Sequence, residues 1–213
     1  SVFRDTYLSV SDNGLYNKIN QAYFLGGPEQ AVEALNRNLD LQIDDFATFN
    51  WKAVVDAVNI LGGVDVELSK AEFYYINAYI TETVEATGVG SYQLKQAGLN
   101  HLDGVQAVAY ARLRKMDTDF ARTERQREII DLCFQKLKKS DFAVVNNVME
   151  AVFPQILSSV TIDDIIPAAR NLTKYTIADT MGFPAARSDA NMGKKGACVI
   201  PQTLESNVTP VSY

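Results

Sequence analysis

The stretch NWKAVVDAVNILGGVDVEL, Asn50–Leu68, carries two hydrophobic rhythms on either side of a glycine pair. From Trp51 the apolar residues recur at helical spacing, and Asn50 is a residue type that caps a helix by accepting from an amide of its first turn. Gly62–Gly63 closes that run, after which VDVEL alternates with a period of two, as a half-buried strand does. A helix passing directly into a strand argues for a mixed α/β chain.

Working outward toward the N-terminus, IDDFATFN reads as a strand, and PEQAVEALNRNL as a helix with Pro28 at its first position and Ala31, Val32 and Leu35 facing inward. LYNKINQAYFLGG reads as a shorter helix ended by Gly26–Gly27, SDNG as a turn, and SVFRDTYLSV as an opening strand. Toward the C-terminus, SKAEFYYINAYITETVEATG is a long helix and YQLKQAGLNHLDG is turn-rich. Asp103 and Gln106 form a capping box for VQAVAYARL. Helices are then expected over Asp119–Lys139, Asp141–Ser158 and Ile162–Leu172, and strands over KYTIADTM and GACVIP.

Nearly half of the 213 residues are hydrophobic, enough for a sizeable core, and the length favours a single domain over residues 1–213. A formal charge of −6 disfavours nucleic acid or an anionic membrane as a partner of the whole surface, so any polyanion must be met by a local patch. One histidine, His101, and two cysteines, Cys133 and Cys198, exclude a Cys/His zinc cluster and leave histidine-based nucleophilic catalysis resting on one residue. The cysteines are compatible with one disulfide or with two buried thiols. No apolar run reaches the roughly 20 residues of a transmembrane helix. The chain opens on a strand pattern without a methionine, so an upstream segment, including a membrane anchor, is expected to have been trimmed.

Against that acidic background, YARLRKMDTDFARTERQRE, Tyr110–Glu128, concentrates basic residues. Val105, Val108, Ala109 and Arg112 follow one helical face, with Arg112 where an apolar residue is due. With Ile130 at the centre of the next helix's apolar stripe, beside Cys133, Phe134 and Leu137, Thr123, Gln126 and Arg127 share that side and Arg122 lies on its flank. Arg125, with Glu124 and Glu128, then points away. In the opening strand Val2, Arg4, Thr6, Leu8 and Val10 share a face by the period of two. Inward guanidinium groups need carboxylates, for which Asp5, Asp117 and Asp119 are available, or a bound anion. Several guanidinium forks near a helix N-terminus suit a diphosphate.

Taken together, FRDTY, KINQAYFLGGPEQAVEALN, LGGVDVEL, AGLNHLDGVQAVAYARLR and DTDFARTERQRE resemble the LytR-CpsA-Psr family of bacterial cell-envelope proteins. The resemblance covers Ser1 to about Leu137, and the tail GACVIPQTLESNV is similar to the family's C-terminal strand region. It implies an α/β/α sandwich with a central mixed β-sheet flanked by helices, here lacking its N-terminal strand. It also implies an extracytoplasmic phosphotransferase that moves a glycopolymer, such as wall teichoic acid or capsule, from a polyprenyl-pyrophosphate carrier onto peptidoglycan with Mg²⁺. By the same resemblance Arg4, Arg112, Arg114, Arg122 and Gln126 contact the pyrophosphate, and Asp117 and Asp119 position the arginines. The family's metal-holding strand and loop lie upstream of Ser1, so no metal ligand is assigned. The lipid tail is implied to occupy an apolar tunnel, which AEFYYINAYI could line if it is not ordinary core.

An arginine cluster suits phosphoryl transfer, which needs charge neutralisation and in-line placement more than covalent chemistry. Arg112, Arg114 and Arg122 are expected to clamp the diphosphate and Arg4 and Gln126 to orient it. Arg112, Arg114, Arg4 and Asp5 are the expected catalytic residues, with Asp5 a candidate base or a salt-bridge partner and Lys18 a surface or pairing residue. Two other readings stand beside it. One is a non-catalytic envelope module that binds polyprenyl phosphate or pyrophosphate; the other is a transcriptional attenuator, the family's older label. The acidic charge and the lack of a helix-turn-helix pattern argue against nucleic acid.

Overall fold

The computed structural model of the chain describes residues 1–114 and 119–203, residue 119 as backbone only. In chain order the elements are β1 (Tyr7–Ser9), β2 (Tyr16–Lys18), α1 (Asn20–Leu39), β3 (Ala47–Phe49), α2 (Trp51–Ile60), β4 (Val64–Leu68), α3 (Lys70–Thr87), β5 (Gly98–Leu102) and α4 (Gly104–Arg112). They continue with α5 (Asp119–Lys139), α6 (Phe142–Val152), β6 (Ile156–Ser158), α7 (Ile162–Arg170), β7 (Arg187–Asn191) and β8 (Ala197–Pro201). The fold is mixed α/β, and the chain divides into two compact units, one built from Ser1–Thr48 with the chain from Asp179 onward, the other from Phe49–Ala178.

In the first unit β1 and β2 pair antiparallel, as do β7 and β8. Parallel bridges Thr6↔Val199 and Val2↔Phe183 tie the N-terminal segment to the C-terminal one, so both orientations occur. Leu8, Val10, Ile19, Ala22, Ala34, Leu39 and Phe183 form the core. Helix α1 is kinked where Gly26 (φ −147°) and Gly27 (φ 74°) leave helical geometry and Pro28 starts the second segment. The positive φ at Gly27 is tolerated because no Cβ is present. The expected inward residues shift by a few positions. Ala34 and Leu39 are buried, whereas Ala31, Val32 and Leu35 are half-buried. Tyr16–Lys18, expected as helix, is strand, because it hydrogen-bonds to β1 and sets Tyr16 against Tyr7 with ring centroids 5.9 Å apart.

The second unit rests on the β4–β5 antiparallel pair, in register from Val64↔Leu102 to Leu68↔Gly98. Strand β4 alternates buried and exposed residues as VDVEL promised. Strand β5 escaped sequence reading because its Leu99 is 69% exposed, so its apolar signal points the wrong way. Asn50 caps α2 by accepting from the Ala53 amide at 2.7 Å. Asp103 and Gln106 close the expected capping box on α4, each side chain accepting from the other's backbone at 2.9 Å. Helix α4 sits directly on α2, since a Cβ at Gly104 would stand 2.1 Å from the Val55 carbonyl oxygen. Under that contact lie Val55, Val64, Leu102 and Val105, all fully buried, each contributing roughly 1.5–3 kcal/mol relative to exposure.

Elsewhere in the second unit the expected 141–158 helix stops at Val152. Pro154 follows, and a proline lacks the amide hydrogen that would continue the ladder. Helix α7 ends at Arg170, and KYTIADTM, expected as a strand, holds the end of a 3-10 turn and then irregular chain.

Candidate functional site

The chemistry gathers where α4 ends and α5 begins. Arg112, in the last turn of α4, is held on three sides. Its Nη1 donates to Thr83 Oγ1 at 2.8 Å, its Nη2 lies 3.5 Å from Glu82 Oε2, and its guanidinium carbon sits 5.5 Å over the Trp51 ring. Thr83 is fully buried in α3, and its hydroxyl in turn donates to the Tyr79 carbonyl at 2.7 Å. The expectation that Arg112 occupies an apolar position is therefore met by a polar socket on α3.

The backbone leaves α4 in extended geometry at Leu113, whose side chain is buried, and Arg114 beyond it is exposed. Helix α5 returns alongside. The Gln126 amide nitrogen donates to the Ala111 carbonyl at 3.4 Å, and Arg125 Nη2 donates to the Leu113 carbonyl at 2.8 Å. Arg122 and Thr123, within α5's second turn, are buried. Arg112, Arg114, Arg122 and Gln126 are thus carried on segments that meet. Asp117 and the side chain of Asp119, the expected arginine-positioning pair, lie outside the described residues.

The phase of α5 corrects the sequence reading. Ile130, taken as the centre of the inward stripe, is 62% exposed, while Ile129 is buried, and Arg125, expected to point away, is only 5% exposed. The inward face runs through Arg122, Arg125 and Ile129 to Leu132 and Cys133. Buried charge there is met by charge: Arg125 Nη1 lies 3.4 Å from Glu72 Oε1, and its guanidinium carbon is 5.9 Å over the Tyr110 ring. Glu72 is also the capping-box residue of α3, its other oxygen accepting from the Ser69 amide and hydroxyl at 2.9 and 2.8 Å. Tyr110 donates to Glu128 at 2.8 Å, and burial together with that carboxylate raises its pKa, so the phenol stays a donor. Arg125, Glu72, Thr83 and Trp51, which contact one another or Arg112 here, drew no site reading from the sequence. The Ser69-x-x-Glu72 spacing and the chain's single tryptophan were the available signals.

Arg4 and Asp5 belong to the first unit. They form a turn rather than a strand, closed by the Thr6 amide and hydroxyl donating to the Phe3 carbonyl at 3.0 and 2.7 Å. Arg4 is consequently exposed rather than on an inward strand face. Asp5 is ion-paired with Lys18 at 3.2 Å and lies 3.9 Å from Arg4 Nε. Cys133 and Cys198 are free thiols. Burial raises the Cys133 thiol to about 11, with Lys136 partly offsetting it.

The described residues do not fit a magnesium site by themselves. Among them no three carboxylate, histidine or cysteine groups converge, and Asp5 already faces cations. Among the described residues no helix is long and apolar enough to cross a membrane. The apolar face of α3 (Ile76, Tyr79, Ile80) is packed into the core. A separate apolar cavity of about 330 Å³ opens between α5, α6 and α7, lined by Leu137, Val145, Val148, Met149, Ile165 and their neighbours.

In this mixed α/β chain Arg112, Arg114, Arg122 and Arg125 are carried to the junction of α4 and α5. Residues 1–194 match the LytR_cpsA_psr family, and the chain belongs to that family. It is 31% identical over 174 residues to the Bacillus cereus (strain AH820) protein named polyisoprenyl-teichoic acid–peptidoglycan teichoic acid transferase TagU, covering 80% of this chain and 52% of that one. It is 28% identical over 198 residues to the Bacillus subtilis (strain 168) transferase TagV, covering 91% of this chain and 48% of that one. The chain thus spans about half the length of the curated relatives it matches. Among solved structures, TagT bound to LIIa-WTA matches with a TM-score of 0.75 at 24% identity, over 98% of this chain and 73% of that one, a likeness of fold.

Proposed function

We infer that this chain is the catalytic part of an extracytoplasmic phosphotransferase. It would move a glycopolymer of the teichoic acid class from a polyprenyl-pyrophosphate carrier onto peptidoglycan. The observation that carries the reading is the α4–α5 junction, where Arg112, Arg114, Arg122 and Gln126 sit on backbone segments fastened together by Arg125. The transferase names of the relatives support the same reaction class.

In this reaction an acceptor sugar hydroxyl attacks the phosphorus nearest the glycan. The new oxygen–phosphorus bond replaces the bridging bond of the diphosphate, and polyprenyl phosphate leaves with the bridging oxygen. Arg112, Arg114 and Arg122 spread the charge of the transferring and leaving phosphates, and Gln126 orients them. Arg4 keeps its sequence-based role of orienting the diphosphate, and Asp5, ion-paired with Lys18, is the candidate base for the hydroxyl proton. The apolar cavity between α5, α6 and α7 has the chemistry to hold part of an isoprenyl chain.

The test is reconstituted ligation with the whole protein, a polyprenyl-pyrophosphate-linked polymer and peptidoglycan. Polymer joined through a phosphodiester, with release of polyprenyl phosphate, supports the reading. Tight binding of the carrier without turnover would favour the non-catalytic module instead.

A further inference from the structure

Trp51 is the chain's single tryptophan, stands at the first position of α2, and is 46% exposed. An indole is usually drawn into a core or an interface by the large apolar area it removes from water. Here it faces solvent while Arg112 lies 5.5 Å over its ring. That arginine is also hydrogen-bonded to buried Thr83, so Trp51 is not its sole anchor. Glu82, whose side chain is 52% exposed, presents its carboxylate beside the same guanidinium. The exposed remainder of the indole, with the guanidinium over its ring and a carboxylate beside that cation, matches a sugar ring, which offers polarised C–H groups on one face and hydroxyls at its rim.

We propose that Trp51 is the stacking platform for the sugar joined directly to the diphosphate, with Glu82 accepting from its hydroxyls. This deepens the diphosphate-transferase reading and rests on it. In a diphosphate-linked glycan the first sugar is separated from the nearer phosphorus by a single oxygen. A phosphate bound on Arg112 therefore brings that sugar to Trp51, whose ring is the large aromatic surface next to the clamp.

The experiment compares farnesyl pyrophosphate with farnesyl-diphospho-N-acetylglucosamine by calorimetry on wild-type protein, Trp51→Ala and Trp51→Phe, with circular dichroism confirming that each variant is folded. In the wild type the sugar-bearing probe binds about tenfold tighter, a factor that corresponds to roughly 1.4 kcal/mol. Trp51→Ala loses that preference, and Trp51→Phe retains most of it. The sugar-bearing probe also shields the tryptophan emission from acrylamide, and farnesyl pyrophosphate does not. Equal affinities for the two probes in all three proteins, or an equal loss of both in Trp51→Ala, would overturn the platform while leaving the diphosphate reading intact. Slowed transfer by Trp51→Ala with an unchanged probe preference would assign the indole to the acceptor and overturn the donor-sugar proposal. Failure of the wild type to bind either probe would remove the diphosphate reading and the platform with it.

Discussion

Arg125 donates from Nη2 to the Leu113 carbonyl at 2.8 Å, so a buried guanidinium from α5 grips the one residue between Arg112 and Arg114. Its positive charge is spent inside the protein, against Glu72 and the Tyr110 ring. It is a positioning residue, fixing the backbone between Arg112 and Arg114.

Replacing it should therefore loosen the fold before it changes any chemistry. Arg125→Ala is expected to lower the unfolding free energy by about 3 kcal/mol. That is the low end for losing one partner of a buried pair, since Glu72 keeps its Ser69 hydrogen bonds. Chemical denaturation measures it, and a loss under 1 kcal/mol would show that the contact is incidental.

Arg112→Ala should behave in the opposite way. Its acidic partner Glu82 is half exposed and its hydrogen bond to Thr83 is worth about 1 kcal/mol, so stability should fall by only about 1–2 kcal/mol. Transfer should fall by roughly 10²–10³, the range for removing one donor from a charge-stabilising site. Undiminished ligation by this variant would take Arg112 out of the clamp.

Thr83→Val keeps the shape of a buried side chain and removes the acceptor for Arg112 Nη1. One such hydrogen bond is worth about 1 kcal/mol, so the expected effect is about a fivefold rise in KM with kcat nearly unchanged. Thr83→Ser should restore the wild-type value. An equal loss in both variants would mean that packing, and not the hydroxyl, matters at this position.

Gly104→Ala places a methyl group against the Val55 carbonyl, where only backbone could yield. A destabilisation of roughly 1–3 kcal/mol is expected from such overpacking. Weaker diphosphate binding should accompany it, because the same helix carries Arg112. A thermal melt and a titration with inorganic pyrophosphate read the two effects separately.

The Cys133 thiol, raised to about 11 by burial, gives a signature in alkali. Its folded value lies above the unfolded one of about 8.5. Its contribution to stability is thus complete below about pH 8.5 and is lost as pH rises through 11. Alkylation of Cys133, followed by peptide mass spectrometry, should keep accelerating up to about pH 11. A rate that levels near pH 9 would contradict the burial.

Much of the second unit was legible because its signals are local. Asn50 and the Asp103–Gln106 pair cap helices as their spacing foretold, and β4 alternates as written. The phase of α5 was not legible. Ile129 and Ile130 offer two stripes about 100° apart, and the correct one continues through Arg122 and Arg125, which carry no apolar signal. What meets Arg125 on the inward side is Glu72, distant in sequence and brought close only by the fold. The Arg4 turn failed for a related reason. Alternation over Val2–Val10 is real, but the Phe3 carbonyl draws Thr6 back and breaks the strand at Arg4 and Asp5.

Helix α3 serves both halves of the arginine site, meeting Arg125 through Glu72 and Arg112 through Thr83, roughly three turns further along. The two anchors share a side of the rod only because their separation is close to a whole number of turns. One inserted residue between them would rotate Thr83 by about 100° and slide it some 1.5 Å, uncoupling the sockets even if every side chain were preserved. Length variation in this protein should accordingly be accommodated in the irregular chain between Gly88 and Gln96, while α3 keeps its register.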